Sequence, residues 1–193
     1  MRPLPVLFVL CLWPIPALAG DVTSAYTKFD LKDCRQITPE DVEWSGSFIC
    51  KGYDGLDVYF AEGDLRQMLA YGKEPQNHCA TRQTFGPFNW AYPTIEWRLE
   101  GGRPFAAIQR WSVSDPEHSE KHKTWLAVTR IEAADSCRVA VVEGSMPDAN
   151  QLARNAADDL ARSFDCLKDE AKVISHDPAN VEGLTSSSPC TAE

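Results

Sequence analysis

The 193-residue sequence lacks the short motifs that mark most well-known enzyme classes. It has no Gly-x-Ser-x-Gly elbow and no Ser-x-x-Lys pair, which argues against the common serine hydrolases. It has no phosphate-binding glycine loop, because Gly101-Gly102 lies in a β-hairpin pattern and does not precede a helix. It also has no Cys-x-x-Cys pair, so neither a thioredoxin-like site nor a zinc ribbon is supported. We therefore predict no cofactor and favour a non-enzymatic protein.

Basic side chains are scarce. The chain has 19 Lys and Arg against 28 Asp and Glu, a formal net charge of −9. Such a charge repels nucleic acid and anionic lipid head groups, so we expect neither as a partner. A macromolecular partner, if there is one, should be basic, and a small ligand is the alternative.

Long apolar runs are missing except at the N-terminus. Residues 1–19 contain one basic residue, Arg2, then an apolar stretch of about 15 residues, shorter than the roughly 20 of a membrane helix. The segment ends in Ala17-Leu18-Ala19, which is typical of a signal peptide cleaved after Ala19. We expect a periplasmic or secreted protein with no membrane insertion after cleavage. A single domain should span 20–175, and a flexible tail should span 176–193.

Six cysteines remain after the leader, an even number that indicates disulfides in an exported protein: Cys34, Cys50, Cys79, Cys137, Cys166 and Cys190. Six thiols allow 15 connectivities. The first two lie on either side of the short segment that connects two predicted strands, so we pair Cys34 with Cys50. Packing of a C-terminal helix on its preceding strand would pair Cys137 with Cys166. Cys79 and Cys190 then remain by elimination.

The pattern of the mature chain predicts an α+β fold, a mostly antiparallel sheet of about seven or eight strands with one C-terminal amphipathic helix. Strands are predicted at 26–31, 47–51 and 56–60, the last two joined by a turn that contains Asp54-Gly55. Thr38-Pro39-Glu40-Asp41 predicts one helical turn. The segment 64–72 fits either a helix or a strand, and we favour a strand.

Between 73 and 93 the prolines, glycines and asparagines indicate a long loop. A hairpin should follow over 94–113. A two-residue turn at Gly101-Gly102 predicts three facing pairs: Leu99 with Pro104, Trp97 with Ala106, and Ile95 with Ile108. The opposite face, with Glu96 and Arg98, should be a mixed surface.

A second hairpin over 124–142 should place Leu126 and Val128 on one face with Cys137, Val139 and Val141.

The helix is predicted from apolar residues that repeat every four positions: Leu152, Ala156, Leu160 and Phe164. Asp148 can cap its N-terminus with Gln151 three residues later. Asp158 and Arg162 should form an i, i+4 pair on the solvent side.

His118 and His122 are the only weak candidates for metal ligands. They would share one face if the segment were helical. The segment lies between two strands, however, and lacks a third ligand, so we expect an exposed connection and no metal. Carboxylates at Asp54, Asp57, Glu62 and Asp64 could serve a hydrolase only if they converged.

Tryptophan is frequent for a chain of this size. Trp97 is assigned to the core by its hairpin face, whereas Trp44, Trp90 and Trp111 are candidates for an exposed aromatic binding patch.

Several segments together resemble a family of uncharacterised secreted proteins of Gram-negative bacteria: Tyr26–Leu31 with Cys34, Cys50–Gly55, Glu62–Arg66, Glu96–Leu99 with Gly102–Ala106, and Phe164–Cys166. The resemblance covers roughly residues 26 to 168 and implies no activity or catalytic residues. It implies that Cys34, Cys50, Cys137 and Cys166 belong to the common scaffold, and that Cys79 and Cys190 are peculiar to this chain.

The sequence thus favours an exported binding domain, whose partner could be a basic cell-wall hydrolase. A cell-envelope hydrolase and a structural or accessory envelope protein are the alternatives.

Overall fold

The computed structural model describes residues 21–38, 45–115, 118, 120–132, 135–181 and 189–190. Within these ranges ten strands and one α-helix follow one another along the chain. Their bounds are β1 Val22–Lys28, β2 Arg35–Gln36, β3 Ser45–Lys51, β4 Asp57–Gly63, β5 Arg66–Gly72, β6 Asn89–Glu100, β7 Arg103–Ser114, β8 His122–Ile131, β9 Ser136–Glu143, α1 Ala149–Leu160 and β10 Lys172–Ile174. Short 3₁₀ turns lie at Leu31–Asp33, Pro75–Asn77, Cys79–Arg82 and Pro178–Val181.

The strands form two sheets. The large sheet has the order β1-β6-β7-β8-β9-β10, and the small sheet has the order β2-β3-β4-β5. Pairing is antiparallel throughout the described strands except between β9 and β10. The prediction of a mostly antiparallel α+β fold with one helix is therefore confirmed, but the ten described strands form two sheets and not the expected one of about seven or eight.

The first core lies between the two sheets. Trp97 and Trp111 of the large sheet are almost inaccessible to solvent and meet Tyr71 and Phe85 on the opposite side. The ring of Tyr71 packs edge-on against Trp97 with centroids 5.7 Å apart, and Phe85 lies 5.4 Å from Trp111. Burial of these large rings gives this interface a large apolar contribution to stability.

The second core lies between the large sheet and α1. The helix buries small side chains, Ala149, Ala153, Ala156 and Ala157, against a sheet face that includes Val128 and Val139. Small residues let the helix approach the sheet closely, while Leu152 and Leu160 pack half-buried at the flanks. The molecule thus has three layers: small sheet, large sheet and helix.

The start of α1 differs from the expectation. Asp148 precedes the helix but has φ of 55° and makes no side-chain capping bond, so the predicted cap is wrong. An N-cap residue bonds the helix from an extended backbone, a geometry that this left-handed conformation does not supply.

Charged residues also join the helix to the sheet. The guanidinium of Arg98 donates two bonds to the Asp158 carboxylate, at 2.9 and 2.6 Å. Arg154 donates to Glu96 Oε1 at 2.6 Å. Glu96 and Arg98 are only 9% and 7% exposed, so the predicted mixed surface is a buried interface. The Asp158 side chain therefore pairs with Arg98 across the interface. Arg162 donates to the backbone carbonyl of Asp158 and forms an ion pair with Glu100.

Two β-bulges shift the predicted registers. In the β6–β7 hairpin Leu99 faces Pro104 as expected. A one-residue shift between Arg98 and Leu99 makes Trp97 face Ala107 and Ile95 face Gln109. In β8–β9 a shift between Val128 and Thr129 turns Val141 toward the first core. An extra residue in one strand reverses which face the following residues occupy, which explains why these pairings were wrong.

Three disulfides join the pairs inferred from the sequence: Cys34–Cys50, Cys79–Cys190 and Cys137–Cys166. Disulfides of this kind fit an extracellular or periplasmic protein.

Other segments agree with the sequence predictions to different degrees. The ambiguous segment 64–72 contains strand β5, as favoured. The expected loop over 73–93 contains two 3₁₀ turns, and its last residues already belong to β6. The predicted turn at 38–41 lies largely outside the described residues, as does the predicted signal peptide. Among the described helices, none has the length and apolar character needed to span a bilayer.

Candidate functional site

The turn between β4 and β5 has an unusual composition. Its two central residues, Asp64 and Leu65, have φ of 51° and 60°. The turns at Asp54-Gly55 and Gly101-Gly102 also have positive φ at both residues, and each has glycine at the second position. Glycine adopts this conformation without steric cost, whereas a leucine there is strained. Leu65 is nevertheless 58% exposed, so burial does not compensate for the strain.

A second strained apolar residue lies beside it. Phe88 has φ of 58° and is 52% exposed, and its backbone N–H donates to the Leu65 carbonyl at 2.8 Å. Trp90, at the start of β6, is 39% exposed. Strained backbone at exposed apolar side chains is characteristic of functional positions, because stability alone gives no reason to keep it.

Buried polar groups hold this arrangement together. The Gln67 amide N–H donates to Asn89 Oδ1 at 3.0 Å, and the Gln67 side-chain oxygen accepts from the Ala91 N–H at 2.8 Å. The Asn89 side chain in turn donates to the carbonyls of Phe85 and Gly86. The β4–β5 turn and the start of β6 are therefore fixed to one another, and the exposed side chains are preorganised.

Two adjoining cavities, each of about 460 Å³, open along this surface and share Glu62 and Leu65. We call the combined depression the tip groove. Its lining consists of Leu31, Ser45, Gly46, Phe48, Phe60, Glu62, Asp64, Leu65, Gln67, Phe88, Asn89, Trp90, Ser114 and His122. This lining contains two carboxylates and neither Lys nor Arg, so the groove is apolar with an acidic rim, and Arg66 beside it forms an exposed ion pair with Asp64 at 3.5 Å.

The two candidate histidines have different surroundings in the structure. His122 packs against Trp90 with ring centroids 4.6 Å apart, in the wall of the tip groove. His118 lies 3.7 Å from Asp115 in a turn closed by the Lys121 N–H bond to its carbonyl. Among the described residues no group of three or more His, Cys, Asp or Glu is placed to hold a metal ion.

The three candidate tryptophans separate in the structure. Trp90 lies at the exposed groove, whereas Trp111 is 2% exposed and belongs to the first core, so its assignment to a surface patch is wrong. The bulge between Arg98 and Leu99 adds one residue to β7 and places Trp111 on the face that meets the small sheet. Trp44 lies outside the described residues.

Sequence reasoning missed Leu65 and Phe88. The one available signal was the Asp64-Leu65 pair itself, since a two-residue hairpin turn with positive φ normally ends in glycine.

The four candidate carboxylates are not brought together at one site, although Glu62 and Asp64 both line the tip groove. Asp57 begins β4 and pairs with Lys51 at 3.3 Å, whereas Glu62 lies near the other end of that strand. Five residues of extended strand separate their backbones by roughly 17 Å. Asp54 lies in the turn before Asp57, so Asp54 and Asp57 lie at one end of β4, and Glu62 and Asp64 lie at the other.

Comparison of the chain with protein-family models, curated proteins and solved structures found no match.

Proposed function

We propose that this chain is a non-enzymatic binding domain that captures a basic protein through the tip groove. The observation that carries the proposal is the exposed, strained placement of Leu65 beside Phe88, next to the carboxylates of Glu62 and Asp64. Apolar anchors with a charged rim are the usual composition of a protein-binding patch. The net charge of −9 would attract a cationic partner before contact.

A basic cell-wall hydrolase is the partner class that we propose. Such an enzyme carries positive charge, which matches the acidic rim of the groove. It would also share the compartment in which disulfides form. Association should weaken as salt is added, because the long-range attraction is screened.

The test compares bait proteins that differ only at the groove. The mature oxidised chain, Leu65→Gly and Asp64→Asn would each be incubated with periplasmic extract, and bound proteins would be identified after a salt step. Leu167→Ser and Asp54→Asn are matched controls, because Leu167 is 57% exposed and Asp54 also has φ of 51°.

We expect a basic protein to be retained by the wild-type chain and both controls and to be lost from the two groove variants. Direct titration of the purified partner should then show the same order of affinities. Equal retention by Leu65→Gly and wild type would disprove the assignment of the groove.

We also propose that the chain is exported and cleaved after Ala19. The small residues at Ala17 and Ala19 and the disulfides of the folded chain support this proposal. Mass spectrometry of the protein recovered from the periplasm should give a chain that begins at Gly20. Recovery of the intact chain in the cytoplasm would contradict it.

A further inference from the structure

A second pair of cavities lies on the other side of the large sheet, beside the N-terminal end of α1. One, of about 230 Å³, is lined by Tyr26, Tyr92 and Asn150 among others. The other, of about 290 Å³, is lined by His122, Lys123, Thr124 and Ser145 among others. Arg110 lines both cavities.

Arg110 differs from the other arginines on this face of the sheet. Arg98, Arg154 and Arg162 each form an ion pair with a carboxylate. Arg110 donates to the neutral side-chain oxygen of Asn150 at 2.7 Å, and no described carboxylate lies within 4.0 Å of it. Arg110 is half-buried as a residue, and its guanidinium is oriented by an amide without being neutralised, so it retains donors for an anion.

Two carboxylates do line these cavities, but both are already engaged. Glu96 accepts hydrogen bonds from Ser24 and Arg154, each at 2.6 Å. Glu143 accepts from the Ser145 hydroxyl at 2.7 Å and from the His176 N–H at 3.1 Å. Neither is within ion-pair distance of Arg110, so its positive charge is not cancelled locally.

The aromatic walls of the first cavity are fixed in place. Buried Gln109 donates from its side-chain nitrogen to the Tyr92 carbonyl and, at 3.3 Å, to that of Thr94. These bonds hold the irregular stretch between Ala91 and Ile95, which presents Tyr92 at 40% exposure. A bulge of this kind redirects a side chain, often beside a binding site.

Tyr26 completes the wall. Its ring is 56% exposed, and its hydroxyl accepts a hydrogen bond from Arg154 at 3.1 Å. The ring therefore has a fixed orientation while most of its surface faces solvent. Exposed aromatic faces held in this way suit stacking against the apolar face of a sugar ring.

We propose that this site, which we call the Arg110 site, binds a carboxylate-bearing sugar residue of an acidic glycan. The guanidinium of Arg110 binds the carboxylate, and Tyr26 and Tyr92 contact the sugar ring. The requirement for both contacts distinguishes this ligand from a simple anion, which needs only the guanidinium, and from a neutral sugar, which needs only the rings. The Arg110 site adjoins the tip groove at His122, but the residues that carry the two proposals are different.

The test is calorimetric titration of the mature oxidised chain with three acidic probes: tri-galacturonate, glucuronate and N-acetylmuramic acid. Maltotriose serves as the neutral sugar and propionate as the simple carboxylate. We expect at least one acidic sugar to bind, and to bind at least about tenfold more tightly than maltotriose or propionate, since a charged hydrogen bond contributes that much.

Variants assign the binding to the Arg110 site. Arg110→Met and Tyr92→Ala should each weaken it at least about tenfold, as expected for loss of a charged bond or a stacking ring. Arg103→Met is the matched control, because Arg103 lies exposed on the same strand outside both cavities. Leu65→Gly should also bind normally, because that change affects only the tip groove. Arg110→Lys keeps the charge without the planar fork and should weaken binding severalfold if Arg110→Met does not fold.

Three results would overturn the proposal. They are no binding of any acidic probe, equal binding of maltotriose or propionate, and undiminished binding by the Arg110 variants.

Discussion

Leu65 illustrates how one residue can oppose stability. A leucine with φ of 60° in a two-residue turn carries a steric cost of about 1 to 2 kcal/mol, which glycine would not. The hydrogen bond from the Phe88 N–H to its carbonyl fixes it there. At the opposite end of β4, Gly55 occupies the equivalent turn position at φ of 76°.

Replacing Leu65 with glycine should therefore stabilise the protein. We expect Leu65→Gly to raise the free energy of unfolding by about 0.5 to 1 kcal/mol, because relief of strain exceeds the added entropy of the unfolded chain. Urea denaturation monitored by tryptophan fluorescence measures this difference. A destabilised variant would show that the leucine side chain contributes packing that its 58% exposure does not suggest.

Asp158 is the matching case of a polar residue that supports the fold. Its carboxylate accepts both bonds of Arg98, whose side chain is 9% exposed. We expect Asp158→Asn to lower the free energy of unfolding by about 1 to 3 kcal/mol, because the guanidinium stays largely buried without its counter-charge. Asp159→Asn, at the adjacent exposed position, should change it by less than about 0.5 kcal/mol in the same urea experiment. Similar effects of both changes would contradict this account.

At the level of elements, hairpins and helix were predictable because each depends on local pattern. Gly101-Gly102 fixed the position of one turn, and the four-residue apolar repeat located α1. The bulges were not predictable, because they depend on tertiary partners. The irregularity after Ala91 is held by Gln109, a buried residue of the next strand, and nothing local marks that role. The bulge between Arg98 and Leu99 adds one residue to β7 and so reverses the faces of the residues that follow it, which hid that Trp111 belongs to the core.

Glu143, at the end of β9, links that strand to the segment after β10. Partial burial acts to raise the pKa of its carboxyl. The hydrogen bonds from Ser145 and the His176 N–H, together with the charges of His176 and Lys123, outweigh burial and hold the pKa below its usual value. A depressed carboxyl pKa stabilises the fold above the unfolded-state pKa, and this contribution is lost as the pH falls through the folded-state pKa.

Glu143→Gln should therefore destabilise the protein at neutral pH and flatten the acid loss of stability. Urea denaturation at a series of pH values between neutral and acidic would show the two chains converging as the pH falls. Glu170→Gln, at an exposed carboxylate of the following segment, is the control and should retain the wild-type profile. A constant difference between Glu143→Gln and wild type across the range would show that the titration of Glu143 is not coupled to folding.

At the scale of the whole molecule, the disulfides fix segments of the chain that strand pairing alone does not hold. Cys34–Cys50 ties the segment after β1 to the small sheet, and Cys137–Cys166 ties the large sheet to the segment after α1. Cys79–Cys190 holds the last described residues against the second core, where the Cys190 N–H also donates to the Cys166 carbonyl at 2.7 Å. All three bridges therefore lock segments that lie outside the regular strands.

Loop length predicts how much each bridge contributes. The separations are 16 residues for Cys34–Cys50 and 111 for Cys79–Cys190. In the chain-entropy model these closures stabilise the folded chain by about 3 and about 5 kcal/mol. We expect the Cys79→Ala, Cys190→Ala double variant to lose more stability than the Cys34→Ala, Cys50→Ala variant when both are unfolded in urea under oxidising conditions. The reverse order would mean that local packing around Cys50, which is buried in the first core, outweighs the entropy of the longer loop.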